Sequence, residues 1–324
     1  MSDLLINKTR MNVGSSAGDK VRIVASDALS FERTCTINPV PTQGQMVQQL
    51  GAFLTLGYTF TCPSDSRHDP IFRAMPHRLY YDALLRGSGT ARKQRSGQGP
   101  ATLTLNLTQG APCSWTVAIQ TDGAETEGNA ATSPVPVVPV NSYQEQAVRY
   151  FFGNKTDLIE LTDVSQGGSV TCTTEIVTTN RRTGVQAVQS VARDATSKGL
   201  SATVAIVLTD TASGVISQLI GMDSGILLVA RTDADYAYGF PASVADLSQN
   251  APVGGAATAS LVFVQSPGGS AVAGPLLTSG NATVPSGQEG YIVDTAGTDV
   301  TRVTSTTAVP SKGLAVVGAP LAIL

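Results

Sequence analysis

The sequence is poor in charged, aromatic and cysteine residues. Charged residues make up 14% of its 324 positions, against roughly 25% in an average soluble domain. The formal net charge of −3 does not supply the basic surface that general binding to nucleic acid phosphates requires. Aromatic residues make up 5% of the chain, which leaves little for an exposed sugar-binding platform. General nucleic acid binding is therefore disfavoured.

Long hydrophobic runs are also missing. No apolar run approaches the roughly 18 residues that a membrane-spanning helix needs. The first eight residues, MSDLLINK, lack the basic stretch and apolar core of a secretory signal. We therefore expect no membrane span, and a protein that stays in the compartment where it is made.

The four cysteines are far apart in the sequence and include no Cys-x-x-Cys pair. They are Cys35, Cys62, Cys113 and Cys172. In a reducing compartment such cysteines stay as thiols, and we predict that they act as small buried hydrophobic residues.

Signals for catalysis are weak. Residues 14–18 have the Gly-x-Ser-x-Gly spacing of a nucleophile elbow, but the flanking residues do not predict the strand and the helix that this motif requires. Only His68 and His77 are available as imidazole bases, and neither is near Ser16 in the sequence. We expect no enzyme activity.

The candidate ligands for a zinc site are Cys62, His68, Asp69 and His77, because thiolate, imidazole and carboxylate groups all bind zinc. Their spacing matches no compact zinc motif, and a capped helix start with surface histidines explains the same residues. No phosphate-binding glycine loop occurs. The sequence therefore predicts neither a metal site nor a cofactor.

Alternation of apolar and polar residues is the strongest signal in the chain. Residues 101–107 place Leu103, Leu105 and Leu107 on one face, residues 114–120 repeat the pattern, and together they predict a hairpin. Further strands are predicted at residues 202–209, 225–230, 260–264, 291–293, 300–304 and 314–317. The expected fold class is all-β, with sandwich or barrel domains and a few short helices.

The short helices are predicted from capping signals. One begins at Asp69-Pro70 and is broken by Pro76, after which Leu79, Tyr80, Ala83 and Leu84 form a second helical stripe. Another runs over residues 142–152 from a capping box formed by Ser142 and Glu145. A third lies between a cap at Asp210 or Thr211 and a glycine terminator at Gly221.

Proline and glycine clusters predict the division of the chain. We expect an N-terminal β domain at residues 1–132, a proline-rich linker at 133–141, a second β domain at 142–267 and a small C-terminal β extension at 268–324. No repeat of fixed period is visible, although the two β domains share an order of strand, short helix, glycine-rich turn and strands.

Positive charge is concentrated in residues 86–99, a glycine- and serine-rich segment predicted as a flexible loop. It contains Arg86, Arg92, Lys93 and Arg95. A solvated loop, docking of a subunit and binding of nucleic acid are the alternatives. Our hypothesis is that the loop docks onto an acidic surface of an adjacent subunit, with Asp122, Glu125 and Glu127 as the acceptors.

Residues 200–209 carry no charge at all. Monomers usually protect an open strand edge with Lys, Pro or a bulge. We therefore predict that this strand pairs with a neighbouring copy, with Thr203, Ala205 and Val207 at the subunit interface.

Residues 169–266 contain a Thr-rich entry strand at 170–177, the segment 194–199 that leads into the strand at 200–209, a short helix, and a closing strand at 259–264. In this order of elements, the segment resembles the tube domain of the tail tube proteins of long-tailed bacteriophages. A fainter similarity at residues 57–61 and 115–120 suggests two such domains.

This resemblance implies a virion protein that assembles into stacked rings, with DNA passing through the lumen without specific binding. It implies that the chain has no catalytic residues and no cofactor. It also implies that other virion proteins are partners and that the chain is made in the host cytoplasm. A capsid, decoration or fibre protein is the first alternative. A carbohydrate-binding or hydrolytic module is the alternative from a different class.

Overall fold

A computed structural model describes residues 10–23, 30–42, 45–85, 92–108, 110–121, 126–130, 143–144, 147–154, 157–161, 165–174, 176–183, 185–192, 198–208, 218–219, 222, 224–277, 284–293, 300–304, 314–318 and 321. These residues form an all-β fold whose strand pairs are all antiparallel.

The strands are β1 (Arg10–Gly14), β2 (Val21–Arg22), β3 (Ser30–Thr42), β4 (Gln45–Pro63), β5 (Arg78–Leu85), β6 (Arg92–Thr108), β7 (Ser114–Gln120), β8 (Thr126–Ala130), β9 (Val148–Gly153), β10 (Leu158–Glu160), β11 (Ser165–Thr174), β12 (Ile176–Thr183), β13 (Val185–Ala192), β14 (Lys198–Val207), β15 (Ser224–Arg231), β16 (Tyr236–Asn250), β17 (Thr258–Gln265), β18 (Val272–Leu277), β19 (Glu289–Val293), β20 (Val300–Thr304) and β21 (Leu314–Gly318). One helical turn, α1 (Asp69–Phe72), follows β4. No helix in the described residues is long and apolar enough to cross a membrane.

The clearest alternation in the sequence is confirmed by the hairpin of β6 and β7. Leu103, Leu105 and Leu107 are fully buried, and Leu105 lies opposite Trp115. The predicted strands at residues 225–230, 260–264 and in the C-terminal segment are also present as β15, β17, β19, β20 and β21. The predicted helix start at Asp69-Pro70 is confirmed by α1, in which Pro occupies the first turn.

Two predicted helices are wrong. The stripe at residues 79–84 belongs to β5, in which Leu79, Tyr81 and Ala83 alternate as buried residues. The capping box was expected to lead into a helix up to residue 152, but Val148–Gly153 is β9. The helix predicted at residues 211–221 lies mostly outside the described residues; Gln218 and Leu219 within it are helical.

The strand pairing repeats itself along the chain. In a first unit, β1 pairs with β2 and β5, β5 with β6, β6 with β7 and β8, β7 with β4, and β4 with β3. In a second unit, β9 pairs with β10 and β15, β15 with β16, β16 with β17 and β18, β17 with β14, and β14 with β11. Each pair in the first unit therefore has a counterpart in the second, in the same chain order.

Details of the backbone agree with this duplication. Gly14 ends β1 and Gly153 ends β9, and a Cβ atom at either position would collide with a backbone carbonyl, of Asp19 or Asp157 respectively. Both glycines are thus required by the same close turn into the next short strand. The hairpin of β12 and β13 forms a separate two-stranded sheet and lies between β11 and β14 in the chain, while β3 and β4 of the first unit stay paired beyond the irregularity at Cys35.

The two units share one sheet and one core. The second half of β6 pairs with β11, so strands on either side of the predicted linker are hydrogen-bonded to each other. The main core contains side chains of both units, among them Trp115, Tyr58, Phe152 and Phe263. The linker at residues 133–141 lies outside the described residues, and the division into domains stays a prediction.

The C-terminal strands β19, β20 and β21 cover the outer face of the second unit. β15 is buried on both faces, because Leu227 and Val229 enter the main core while Leu228 and Ala230 join a second core with Tyr291 and Val316. β18 connects this outer layer to the second unit, since it pairs with β16 and with β21.

Candidate functional site

The most concentrated group of polar residues is a buried cluster around the start of α1. Asp69 is the first residue of α1, Ser64 follows β4, Trp115 lies in β7 and Arg231 ends β15. All four are buried, and Arg231 and Trp115 have no exposed surface. The cluster therefore joins the first unit to the second.

Hydrogen bonds occupy both carboxylate oxygens of Asp69. Oδ1 accepts from the Ser64 hydroxyl at 2.6 Å and from Trp115 Nε1 at 2.8 Å. Oδ2 accepts from the Arg231 guanidinium at 2.8 Å, and the same guanidinium donates to Ser64 Oγ at 2.7 Å. Both carboxylate oxygens of Asp69 are thus hydrogen-bonded within the protein, and the carboxylate is not positioned to take a proton from a substrate.

Burial and charge oppose each other at Arg231. Burial lowers the pKa of the guanidinium, but the negative charge of Asp69 offsets this, and the net result is a raised pKa. Tyr143 lies against the same guanidinium, with its ring centroid 5.1 Å from Cζ. Arg231 therefore stays charged and paired, as a buried ion must.

His68 forms a second buried contact beside this cluster. Its Nδ1 lies 2.9 Å from Asp65 Oδ1, which also accepts hydrogen bonds from the backbone N–H groups of Arg67 and His68. Burial lowers the pKa of His68 although Asp65 acts in the opposite direction. The expectation that His68 lies on the surface is wrong, because only 1% of it is exposed.

The candidate zinc ligands serve other roles in the structure. Burial raises the pKa of the Cys62 thiol far above its usual value, as is typical of a cysteine that acts as a small buried hydrophobic residue. Asp69 holds Arg231, and the His68 imidazole lies against Asp65. Within the described part of the chain, no group of three or more His, Cys, Asp or Glu side chains is placed to hold a metal.

The remaining chemical candidates are structural where they are described. Cys62, Cys113 and Cys172 are buried, as predicted; the side chain of Cys35 lies outside the described residues. Ser16 lies in the exposed turn between β1 and β2, where its hydroxyl donates to Asp19 at 3.0 Å. It has no helix behind it and does not form a nucleophile elbow.

An open groove of about 460 Å³ lies between the second unit and the C-terminal strands. Its polar lining includes Asn154, Ser224 and Arg302. The Arg302 guanidinium is already held by Glu289 at 2.8 Å and by the Gly268 carbonyl at 3.0 Å. The charged group in this groove is therefore engaged in contacts within the protein.

The basic segment is not a loop throughout. Residues 92–99 belong to β6, and this half of β6 pairs with β5 on one side and with β8 on the other. The register places Arg95 opposite Glu127 within a single chain. Residues 86–91 and 122–125, which contain Arg86, Asp122 and Glu125, lie outside the described residues.

The strand at residues 200–209 is not an edge strand. β14 pairs with β11 along one side and with β17 along the other, so the predicted open edge at Thr203, Ala205 and Val207 is wrong. Val204 and Ile206 are fully buried and Thr203 bonds Ser169. The lack of charge reflects a central position in the sheet.

No protein-family model matches this sequence, and no curated protein matches it significantly. The candidate site therefore depends on the geometry of this chain alone.

Several strand segments have one unpaired side among the described residues; β2, β8, β10 and β20 are short examples, and two others belong to long strands of the main sheet. β3 pairs with β4 only. The outer half of β16, residues 246–250, pairs with β17 only. Here Ser248, Gln249 and Asn250 are exposed and Leu247 is half-buried. Sequence analysis missed both edges, because neither differs in composition from a paired strand.

Proposed function

We propose that this chain is a structural subunit that joins copies of itself through its sheet edges and forms the stacked rings of a bacteriophage tail tube. The observation that carries the proposal is the pair of open strand edges, β3 and the outer half of β16. A strand with unpaired N–H and C=O groups is a template for pairing with another chain. Two different edges on one chain permit head-to-tail contacts, which close into rings or extend into filaments.

The buried polar residues support a structural role. Asp69, Arg231, Ser64 and Trp115 are hydrogen-bonded to one another inside the protein, and this network joins the two units. Enzymes usually keep such groups in a cleft where a substrate can reach them. The low net charge of −3 is compatible with a lumen through which DNA passes without adhering.

Another virion structural protein, such as a capsid, decoration or fibre subunit, remains the alternative within this class. A carbohydrate-binding module has less support. In the described residues the largest aromatic side chains, including Trp115, Tyr58 and Tyr238, are fully buried, and such modules need exposed rings.

Negative-stain electron microscopy of the purified protein tests the proposal. Rings or tubes are expected, with sedimentation velocity showing discrete species larger than the 33.4 kDa chain. Closed shells or long tapering fibres would favour the alternative virion roles. A protein that remains monomeric up to high concentration would contradict self-assembly.

A further inference from the structure

A seam between the two units already exists inside the chain. The second half of β6, in the first unit, pairs with β11, the leading strand of the second unit. Asn106 lies opposite Ser169, Leu105 opposite Val170, and Leu103 opposite Cys172. Each chain therefore shows how one unit joins the next.

The duplicated fold identifies the counterparts of these two strands. β16 corresponds to β6, since each pairs with the three equivalent neighbours of its unit. β3 corresponds to β11, since β3 pairs with β4 and β11 pairs with β14, and these two partners pair in turn with the equivalent strands β7 and β17. Among the described residues, the outer half of β16 and the whole of β3 lack the neighbour that the seam provides to β6 and β11.

Residue identities support this correspondence. Asn106 lies opposite the first residue of β7, and Asn250 lies opposite the first residue of β17. Ser169 lies opposite Thr203, and Ser30 lies opposite Thr59. Thr203 lies opposite the fifth residue of β17, and Thr59 lies opposite the fifth residue of β7. The Asn, Ser and Thr of the internal seam thus recur as Asn, Ser and Thr at the two open edges.

Beside the internal seam, these residues make side-chain hydrogen bonds within their own units. The Ser169 and Thr203 hydroxyls are hydrogen-bonded at 2.7 Å. The Asn106 amide donates to Thr116 at 2.9 Å and to Ser114 at 3.3 Å. In the pairing of β16 with β17, Thr258 lies opposite Asn250 and Ser260 lies opposite Ser248. Asn250 therefore has the same types of side-chain partner available as Asn106.

We infer that the outer half of β16 pairs with β3 of a second copy of this chain, in the register of the internal seam. Asn250 then lies opposite Ser30, Gln249 opposite Phe31, Ser248 opposite Glu32, and Leu247 opposite Arg33. The inference rests on the proposed self-assembly and names the surfaces that carry it. It makes the contact antiparallel and head-to-tail, because the two edges are different strands.

The outer half of β16 is more exposed than the equivalent half of β6, as expected if a neighbouring strand is missing beside β16. Leu103 and Leu105, next to the internal seam, are fully buried. Their counterparts are Leu247 and Gln249, of which the first is half-buried and the second exposed. A strand laid against residues 247–250 would cover this half of β16 as β11 covers β6.

Disulfide cross-linking tests the register. All variants carry Cys35→Ser, which removes the native thiol in β3. One chain carries Ser30→Cys and a second carries Asn250→Cys, and they are mixed under assembly conditions and oxidised with diamide. A covalent dimer is expected in the mixture and in neither variant alone, because each edge meets only the other edge.

Two controls calibrate the experiment. Asn106→Cys with Ser169→Cys in one chain is expected to form an intrachain disulfide, because these positions lie opposite each other in the internal seam. A mixture of Thr34→Cys and Asn250→Cys is expected to give little dimer, because four residues along a strand displace the thiol by about 13 Å.

The outcomes separate this inference from the proposed function. Assembly of the Cys35→Ser chain without a Ser30–Asn250 cross-link would overturn the seam and leave self-assembly standing. Equal cross-linking of the Thr34 and Ser30 variants would overturn the register. Absence of any assembly by sedimentation would contradict both the seam and the proposed function.

Discussion

At the scale of single residues, the stability of the chain depends on the buried ion pair of Asp69 and Arg231. Both side chains are buried, and a buried charge that loses its partner is strongly destabilising. We expect Arg231→Met to lower the free energy of unfolding by about 3–5 kcal/mol. Chemical denaturation followed by the fluorescence of Trp115, which bonds Asp69, measures this loss.

The double variant Asp69→Asn, Arg231→Met is the matched control. It removes both charges, and replacing a buried ion pair by uncharged groups is often much less costly than breaking it. The double variant is expected to be more stable than Arg231→Met alone. If both variants unfold at the same denaturant concentration, the ion pair is not the source of the loss.

His68 gives the fold a predicted dependence on pH. Burial lowers its pKa in the folded state, while the unfolded chain has the ordinary value of about 6.5. The unfolded state therefore binds the proton more readily, and stability falls as pH decreases below about 6.5.

His68→Gln tests this effect against His77→Gln, which changes the other histidine. The loss of melting temperature between pH 7 and pH 5 is expected to be smaller in His68→Gln than in the natural chain. A decrease that is the same in all three proteins would show that other groups cause it.

At the scale of elements, the sequence predicted strands best where one face is buried and the other is not. β6 and β7 show clean alternation. In β9, Tyr150 and Phe152 enter the main core while Phe151 joins the second core, so apolar residues are adjacent and no period of two is visible. In β5, Asp82 and Leu84 are buried in addition to Leu79, Tyr81 and Ala83, and the adjacent apolar residues produced an apparent helical stripe at residues 79–84.

The polar cluster was only half visible in the sequence. Asp69-Pro70 marked the helix start, but Arg231 lies 162 residues away from Asp69 and no local pattern connects them. The duplication was visible only as a shared order of elements, since its two units share pairing geometry and very few residues. Pairing between distant strands is a tertiary property, and one sequence does not encode it in any short window.

Thr203 tests the position of β14 within the sheet. Because β14 has a neighbour on each side, Thr203→Pro removes a backbone donor from a central strand, where proline is not tolerated. Leaving the opposite carbonyl unpaired costs about 1–3 kcal/mol, before any clash of the ring is counted.

The variant is therefore expected to unfold at lower temperature even when it is monomeric, as measured by circular dichroism. Thr203→Val is the control, because it keeps the strand and removes only the hydroxyl contact with Ser169. A stable Thr203→Pro monomer that fails to assemble would instead restore β14 as a docking strand.

The basic segment makes a prediction at the β6–β8 pair. Arg95 lies opposite Glu127 in the same chain, and a cross-strand pair of opposite charges contributes roughly 0.2–1 kcal/mol. Arg95→Glu is expected to lower the melting temperature slightly, and Glu127→Lys in the same chain is expected to restore it.

Protein concentration separates this local effect from the subunit docking predicted for Arg92, Lys93 and Arg95. A pair within one chain gives rescue that is independent of concentration. Rescue that appears only when the chain assembles, and that weakens with salt, would favour docking between subunits.

At the scale of the whole molecule, the chain consists of two similar units joined by a seam and an outer layer on the second. If the contact between chains repeats the contact within the chain, successive units are related by nearly the same rotation and translation throughout an assembly. A closed ring of n chains then contains 2n similar units. The outer layer of β19, β20 and β21 covers every second unit only.

This arrangement predicts the symmetry of a ring. Rotational analysis of end-on views by electron microscopy is expected to show a strong component at twice the number of chains, and sedimentation or mass measurement gives the number of chains independently. The component at the number of chains is expected to be weaker, since the C-terminal strands distinguish the second unit from the first.

Removal of residues 278–324 tests the origin of that weaker component. The component at twice the number of chains is expected to become stronger relative to the component at the number of chains, because the removed layer covers the second unit only. Rings whose rotational spectrum contains only the component equal to the number of chains would show that the two seams differ.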